Sequence, residues 1–112
     1  MSLPAINTLS SEDLARIFKI LAEPSRLQIV MSMGLDCRPV SDIIEATGLS
    51  QSNVSFHLRV LREAGIVKGE RRGGFVFYCL YEFQLLDLLS RFDDWRQTCD
   101  AAATAMQQKK NS

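Results

Sequence analysis

Apolar side chains recur every three or four residues along most of the chain, which is the spacing of amphipathic helices. The first predicted helix, residues 10–22, opens with a Ser-x-x-Asp capping pattern at Ser10 and Asp13. Its apolar positions are Leu14, Ile17, Phe18 and Leu21. A second helix is expected to begin at Pro24, because proline at the first helical position loses no hydrogen bond, and to end at Gly34.

Two further helices are predicted close together in the middle of the chain. Ser41 can cap a brief helix over residues 42–47, and Ser50 can cap a longer one over about residues 51–64. Gly48 to Ser50 are the only residues between them. Two helices joined by so short a connection predict a helix-turn-helix.

The longer of these helices has two chemically different sides, at about 100° per residue. The apolar side consists of Val54, His57, Leu58 and Leu61. The opposite side carries Ser52, Phe56, Arg59 and Glu63, flanked by Ser55. His57 lies at the edge of the apolar side, so we interpret it as a hydrogen-bonded structural histidine rather than a ligand or a catalytic base.

Two short β-prone runs follow this helix, at residues 66–71 and 75–80. Arg72, Gly73 and Gly74 lie between them, and glycine allows the positive φ angles of a tight hairpin turn. A hairpin directly after a helix-turn-helix is a wing. The predicted fold is therefore mainly α with a small β-hairpin, a winged helix-turn-helix of the order α-α-α-α-β-β-α.

The last predicted helix, residues 81–107, has an apolar stripe that is longer than one domain of this size can cover. Its apolar positions are Leu85, Leu88, Leu89, Phe92, Trp95, Cys99, Ala103 and Met106. We infer a homodimer in which Leu85, Leu88, Leu89, Phe92 and Trp95 meet a second copy, with Leu14 and Phe18 of the first helix joining them. Residues 10–107 then form one domain, with residues 1–9 as an N-terminal arm and 108–112 as a flexible tail.

Composition and residue content argue against a membrane protein, a secreted protein and an enzyme. The chain has 112 residues, 13 basic and 13 acidic side chains and no apolar run long enough for a membrane span. The N-terminus lacks the pattern of a secretion signal, and three widely spaced cysteines are not a disulfide framework, so we expect the cytoplasm. One histidine, no nucleophile-and-base pair and no glycine-rich phosphate loop argue against an enzyme.

Charge and polarity point to double-stranded DNA as the partner. Residues 51–80 hold five basic and two acidic side chains, although the whole chain is neutral. Gln51, Ser52, Asn53 and Ser55 can meet base edges or phosphates in the major groove. Arg59 can reach a phosphate or a guanine, and Arg71 and Arg72 at the wing can contact phosphates or the minor groove.

Phe56 is unusual because a large aromatic side chain on an outward helix face exposes apolar area. Contact with a thymine methyl would explain it, and so would coverage by the wing or a neighbouring loop. An exposed aromatic and zero net charge also permit a rival class, a winged-helix module that binds another protein and leaves DNA alone.

These residues resemble the ArsR/SmtB family of winged-helix bacterial repressors. The resemblance is carried by residues 21–27 (LAEPSRL), 48–58 (GLSQSNVSFHL), 61–65 (LREAG) and the wing sequence RRGG. It implies a dimeric repressor with an inverted-repeat operator, a dimer interface made by the first and last helices, and an inducer that weakens DNA binding. In the family, the positions matching Gln51, Ser52, Ser55 and Phe56 face the groove.

The sequence departs from the family's metal sensors. The family's Cys-Val-Cys-Asp motif is replaced by Pro39-Val40-Ser41-Asp42, and the last helix contains no histidine. No cofactor is therefore firmly indicated. Cys37 and Cys99 could still bind arsenite or another thiophilic metal, or oxidise to a disulfide if they approach one another, whereas Cys79 is expected to pack in the hairpin. An organic inducer, a protein partner or no inducer are the alternatives.

Overall fold

The computed structural model of the chain describes residues 10–110. Its helices are α1 (Ser11–Leu21), α2 (Pro24–Met33), α3 (Val40–Thr47), α4 (Gln51–Glu63) and α5 (Gln84–Lys110). Its strands are β1 (Arg38–Pro39), β2 (Val67–Arg72) and β3 (Phe75–Leu80). The predicted arm, residues 1–9, and residues 111–112 of the predicted tail lie outside the described residues. Residues 108–110, also assigned to the tail, belong to α5.

The chain divides into two compact units, of which the first ends at Tyr81 and the second contains α5. The core of the first unit consists of Leu21, Ile29, Val30, Met33, Ile43, Val54, Leu58, Leu61, Val67, Cys79 and Leu80. These side chains come from the first four helices and from the two longer strands, which confirms the predicted winged helix-turn-helix. No helix within residues 10–110 is both long and apolar enough to cross a bilayer.

A third strand accompanies the predicted hairpin. The sheet is antiparallel with the order β1-β3-β2, so the hairpin strand β3 lies in the middle. β1 pairs Arg38 with Tyr78 and Pro39 with Phe77, in a segment between two predicted helices for which the sequence predicted no regular element. A strand of two residues has no alternating pattern to detect, and only its pairing with a distant part of the chain makes it a strand.

The start of α3 differs from the prediction. The helix begins at Val40 rather than Asp42, and its N-cap is Pro39, which has no side-chain capping bond. The predicted cap by Ser41 is therefore wrong. β1 ends at Pro39 and the helix follows it directly, so α3 begins two residues earlier than it would after a serine cap at Ser41.

The end of α4 follows from local sequence. Gly65 has φ 76°, a left-handed conformation that glycine adopts without a steric penalty. The Ile66 N–H donates to the Leu61 carbonyl at 2.9 Å and the Gly65 N–H donates to the Arg62 carbonyl at 3.0 Å. This is the Schellman arrangement, and it turns the chain directly into β2.

Candidate nucleic-acid interface

The outward side of α4 begins with a well-capped turn. The Ser50 hydroxyl accepts a hydrogen bond from the Asn53 backbone N–H at 3.2 Å, and the Ser52 hydroxyl lies 3.3 Å from that of Ser50. Gln51, Ser52, Asn53 and Ser55 are all exposed. The first turn of α4 thus presents amide and hydroxyl groups beside the positive end of the helix dipole, an arrangement suited to base edges and phosphates.

Phe56 and Arg59 continue this exposed side of α4. The Arg59 guanidinium lies 5.7 Å from the centre of the Phe56 ring, and the His57 ring meets Phe56 edge-on with a centroid distance of 5.2 Å. Both ring contacts come from the helix itself, and Phe56 retains an exposed fraction of 49%. The ring is therefore open to a ligand on the same side as the polar residues.

The opposite side of α4 holds the helix in the domain. Val54, Leu58 and Leu61 are buried. Their burial fixes the rotation of α4 about its axis, because turning the helix would bring these side chains into water. The same constraint keeps the polar side pointing outward.

His57 lies in a polar cluster that links α4 to α2, as predicted for a structural histidine. Its Nδ1 lies 3.4 Å from Nη1 of Arg26, and its Nε2 lies 3.8 Å from Oε2 of Glu23. Arginine can only donate, so Nδ1 is the acceptor in the contact with Arg26. Glu23 also caps α2 through the Arg26 backbone N–H at 2.9 Å. Glu23 and Arg26 were not singled out in the sequence, because their role depends on contact with a distant helix.

The wing presents its two arginines on opposite faces of the sheet. Arg72 pairs with Glu70 at 2.8 Å and its guanidinium lies 5.2 Å from the centre of the Phe77 ring. Arg71 is exposed and pairs through the backbone with Val76, one residue from the turn. Arg72 is therefore bound by contacts within the wing, whereas Arg71 lies on the other face of the sheet.

Comparison with known proteins identifies the family. The profile of the bacterial regulatory proteins of the arsR family matches residues 23–68, which run from the start of α2 to the start of β2. The HTH-type transcriptional regulator NmtR of Mycobacterium tuberculosis is 39% identical over 84 residues, which are 75% of this chain and 70% of that protein. The chain belongs to the arsR family. A SmtB homologue of Synechocystis, described as a transcriptional repressor, is 33% identical over 80% of this chain and 68% of its own length.

Solved structures agree with this arsR-family assignment. A homodimeric winged helix-turn-helix DNA-binding domain from Mycobacterium bovis, a possible ArsR-family regulator, superposes with a TM-score of 0.69 at 27% identity. The match covers 87% of this chain and 94% of that one. The repressor BigR of Xylella fastidiosa has a TM-score of 0.65 at 32% identity, over 73% and 87% of the two chains. The protein is thus a winged helix-turn-helix transcriptional regulator.

The residues predicted for the dimer interface lie on α1 and α5. Four large apolar side chains among them have more than half of their surface exposed: Phe18, Leu88, Phe92 and Trp95. Leu14 is 45% exposed, whereas Leu85 and Leu89 are half-buried. Phe92 and Trp95 contact each other with a ring-centroid distance of 5.3 Å. The dimer interface stays a prediction.

Acidic side chains on α5 are engaged within that helix. Asp93 accepts a hydrogen bond from Arg96 at 2.8 Å and one from Gln97 at 3.2 Å. The Arg96 hydrogen bond, followed by that of Gln97, holds the pKa of the Asp93 carboxyl below its ordinary value. Asp93 therefore belongs to a solvated, ion-paired edge of α5.

The cysteines are arranged differently from the expectation. Cys37 forms a disulfide with Cys79, the cysteine that was expected only to pack, and Cys99 is a free, exposed thiol on α5. Cys37 and Cys79 come together because β1 pairs with β3, and the sequence did not reveal β1. Within residues 10–110, Cys37, Cys79 and Glu70 are the one group of three side chains whose potential ligand atoms all lie within 4.8 Å of one another.

Proposed function

We propose that this arsR-family chain is a cytoplasmic homodimeric repressor that binds an inverted-repeat operator. α4 of each protomer enters the major groove, with Gln51, Ser52, Asn53, Ser55 and Phe56 toward the bases. Arg59 and the wing residues Arg71 and Arg72 contact the backbone. The observation that carries this proposal is the exposed polar side of α4, held outward by three buried side chains on its other side.

Selection from a randomised duplex library, followed by footprinting, tests the proposal. We expect one protected inverted repeat whose half-sites are separated by about 10 base pairs, one helical turn, or a multiple of it. A selected pool without a repeated motif would contradict sequence-specific recognition.

The wing contact predicts a change in salt dependence. Arg71→Ala should lower the slope of log affinity against log salt concentration by about 1.8, because the dimer neutralises two fewer phosphates, one for each protomer. The affinity should fall similarly for specific and unrelated duplexes, since a phosphate contact carries no sequence information. Fluorescence anisotropy titrations over a range of salt concentrations measure this slope.

Arg91→Ala is the matched control for the wing. Arg91 is exposed and pairs with Asp87 on α5, so its loss should leave the slope unchanged. Equal slopes for Arg71→Ala and the wild type would show that Arg71 does not contact a phosphate. An affinity that hardly responds to salt in the wild type would favour the rival protein-binding module.

If α5 forms the dimer interface, a charge introduced on its apolar side should weaken dimerisation. Leu88→Glu should raise the dimer dissociation constant by about 30- to 100-fold, because a buried carboxylate without a partner costs several kcal/mol. The exposed fraction of Leu88 in the isolated chain is 57%, so the fold should tolerate the change. Sedimentation equilibrium measures the dissociation constant, and Leu88→Met serves as the apolar control. A dimer of unaltered strength would place the interface elsewhere.

The effector is proposed to act through cysteine. The candidate effector is a thiophilic metal or metalloid such as arsenite, or an oxidant, and the candidate residues are Cys37 and Cys99. In the structure, the bonded partner of Cys37 is Cys79 rather than Cys99. Titration of the operator complex with arsenite and with a mild oxidant, using Cys37→Ser and Cys99→Ser variants, separates the contributions of the two cysteines. If arsenite or the oxidant releases the wild type and both variants from the operator equally, neither cysteine takes part in the response.

A further inference from the structure

Cys37 and Cys79 face each other across adjacent antiparallel strands. The register pairs Arg38 with Tyr78, and continuing it by one residue places Cys37 opposite Cys79. Their Cα atoms are 4.3 Å apart, close to the spacing of about 4.5 Å in a non-hydrogen-bonded antiparallel pair, in which facing side chains approach most closely. The backbone pairing therefore brings the two sulfur atoms together.

Glu70 is the third group at this site. It lies on the same face of the sheet as Cys79, because Lys68 pairs with Cys79 and side chains two residues apart share a face. Its Oε2 is 3.7 Å from the Cys37 Sγ and 2.8 Å from Arg72 Nη2. A disulfide sulfur has no proton, so a hydrogen bond from Cys37 to Glu70 exists only when the pair is reduced. That charge-assisted bond stabilises the dithiol.

We propose that Cys37 and Cys79 form a reversible redox site that a hydroperoxide oxidises and a low-molecular-weight thiol reduces. Cys37 is half-buried and Cys79 is fully buried. Cys37 is therefore the sulfur that an external reagent reaches, and Cys79 is the resolving thiol. In the reducing compartment proposed for this protein, a disulfide is usually transient or redox-sensing rather than structural.

The oxidation proceeds in two steps. The Cys37 thiolate attacks the terminal peroxide oxygen, the O–O bond breaks, an alkoxide leaves and takes up a proton, and Cys37 becomes a sulfenic acid. The Cys79 thiolate then attacks the Cys37 sulfur, the S–O bond breaks, and hydroxide leaves as water with the thiol proton. Two electrons pass from the sulfur atoms to the peroxide, giving one alcohol, one water and the disulfide.

The reduction runs through Cys37 as well. A thiolate of the small thiol attacks the accessible Cys37 sulfur and the S–S bond to Cys79 breaks, leaving Cys79 as a thiolate that takes up a proton. A second molecule of the small thiol attacks the mixed disulfide, releases Cys37 and forms the oxidised small molecule. Cys37 and Cys79 thus return to the dithiol.

Redox chemistry fits this site better than metal coordination. A metal held by both cysteines would need Glu70 as its third protein ligand within this group, and the Glu70 carboxylate is already in an ion pair with Arg72. Oxidation requires only the two sulfur atoms. The inference concerns thiol chemistry in the folded protein and does not depend on DNA recognition.

Intact-mass spectrometry of the full-length Cys99→Ser protein tests the proposal. The reduced protein, treated with hydrogen peroxide, should lose two hydrogen atoms, and reduced glutathione should restore them. In the same Cys99→Ser background, Cys79→Ala should instead accumulate a sulfenic acid at Cys37, detected by a sulfenic-acid-selective label. Cys37→Ser in that background should acquire no label. The glutathione cycle on the Cys99→Ser protein provides a test even if Cys79→Ala folds poorly.

Two outcomes would overturn the proposal. One is a disulfide that excess reduced glutathione does not open, since the bond would then be structural. The other is a reduced pair that hydrogen peroxide does not oxidise. Labelling of Cys79 rather than Cys37 would overturn the assigned order of attack.

Glu70 supplies an independent test. Glu70→Gln removes a negative charge beside the Cys37 thiolate and weakens the bond that stabilises the dithiol, so oxidation should become roughly three- to tenfold faster. Glu70→Asp keeps the charge and should oxidise at nearly the wild-type rate. Equal oxidation rates for Glu70→Gln and Glu70→Asp would show that the Glu70 charge does not affect the cysteine pair.

Discussion

Replacing Gln51 and Ser55 together by alanine is expected to weaken operator binding by about 1000-fold, or about 4 kcal/mol, because good base-edge hydrogen bonds discriminate by about 1–3 kcal/mol each. Both side chains lie on the exposed side of α4. Ser52 is left in place because its hydroxyl lies beside the capping Ser50, and its removal could disturb the helix start. The loss therefore reports recognition rather than folding.

Anisotropy titrations with operator and unrelated duplexes measure this effect. The affinity for the unrelated duplex should hardly change, since non-specific binding comes from phosphate contacts. Gln97→Ala is the control, because Gln97 is an exposed amide that bonds Asp93 on α5. A double variant that binds the operator within a factor of about three of the wild type would show that α4 does not read the bases.

Leu61→Ala is expected to lower the free energy of unfolding by about 2–5 kcal/mol. Leu61 has no exposed surface, and its carbonyl accepts the Ile66 N–H that closes α4. The substitution removes buried methyl groups and leaves a cavity among helices that the same core holds together. Because domain stability is commonly about 5–15 kcal/mol, this loss is a large share of the total.

Leu35→Ala provides the matched control for this core substitution. It removes the same atoms from a side chain that is 70% exposed, so the change should stay within about 0.5 kcal/mol. Urea denaturation at equal protein concentrations measures both, since the stability of a dimer depends on concentration. Equal losses for the two variants would mean that Leu61 is not part of the cooperative core.

Local signals explain why much of this fold was predictable. Pro24 begins α2, Ser50 caps α4 and Gly65 ends it, and each acts through contacts with residues a few positions away. The Gly73 turn pairs Arg72 with Phe75, so the hairpin register follows from the turn. Such signals need no knowledge of the rest of the chain.

Long-range pairing explains what was missed. β1 is a strand because β3 lies beside it, and the Cys37–Cys79 pair follows from that register. The polar cluster of Glu23, Arg26 and His57 likewise joins two helices. In each case the partners are more than 30 positions apart along the chain.

The amino-acid sequence alone determined the helix-turn-helix, the wing and the polar side of α4, because helical spacing and turn residues act within a few positions of one another. The tertiary structure alone decided which cysteines meet, that Arg72 is engaged by Glu70, and that Phe56 remains open. These features depend on strand register and on contacts between side chains, which folding establishes only when distant segments of the chain pack together.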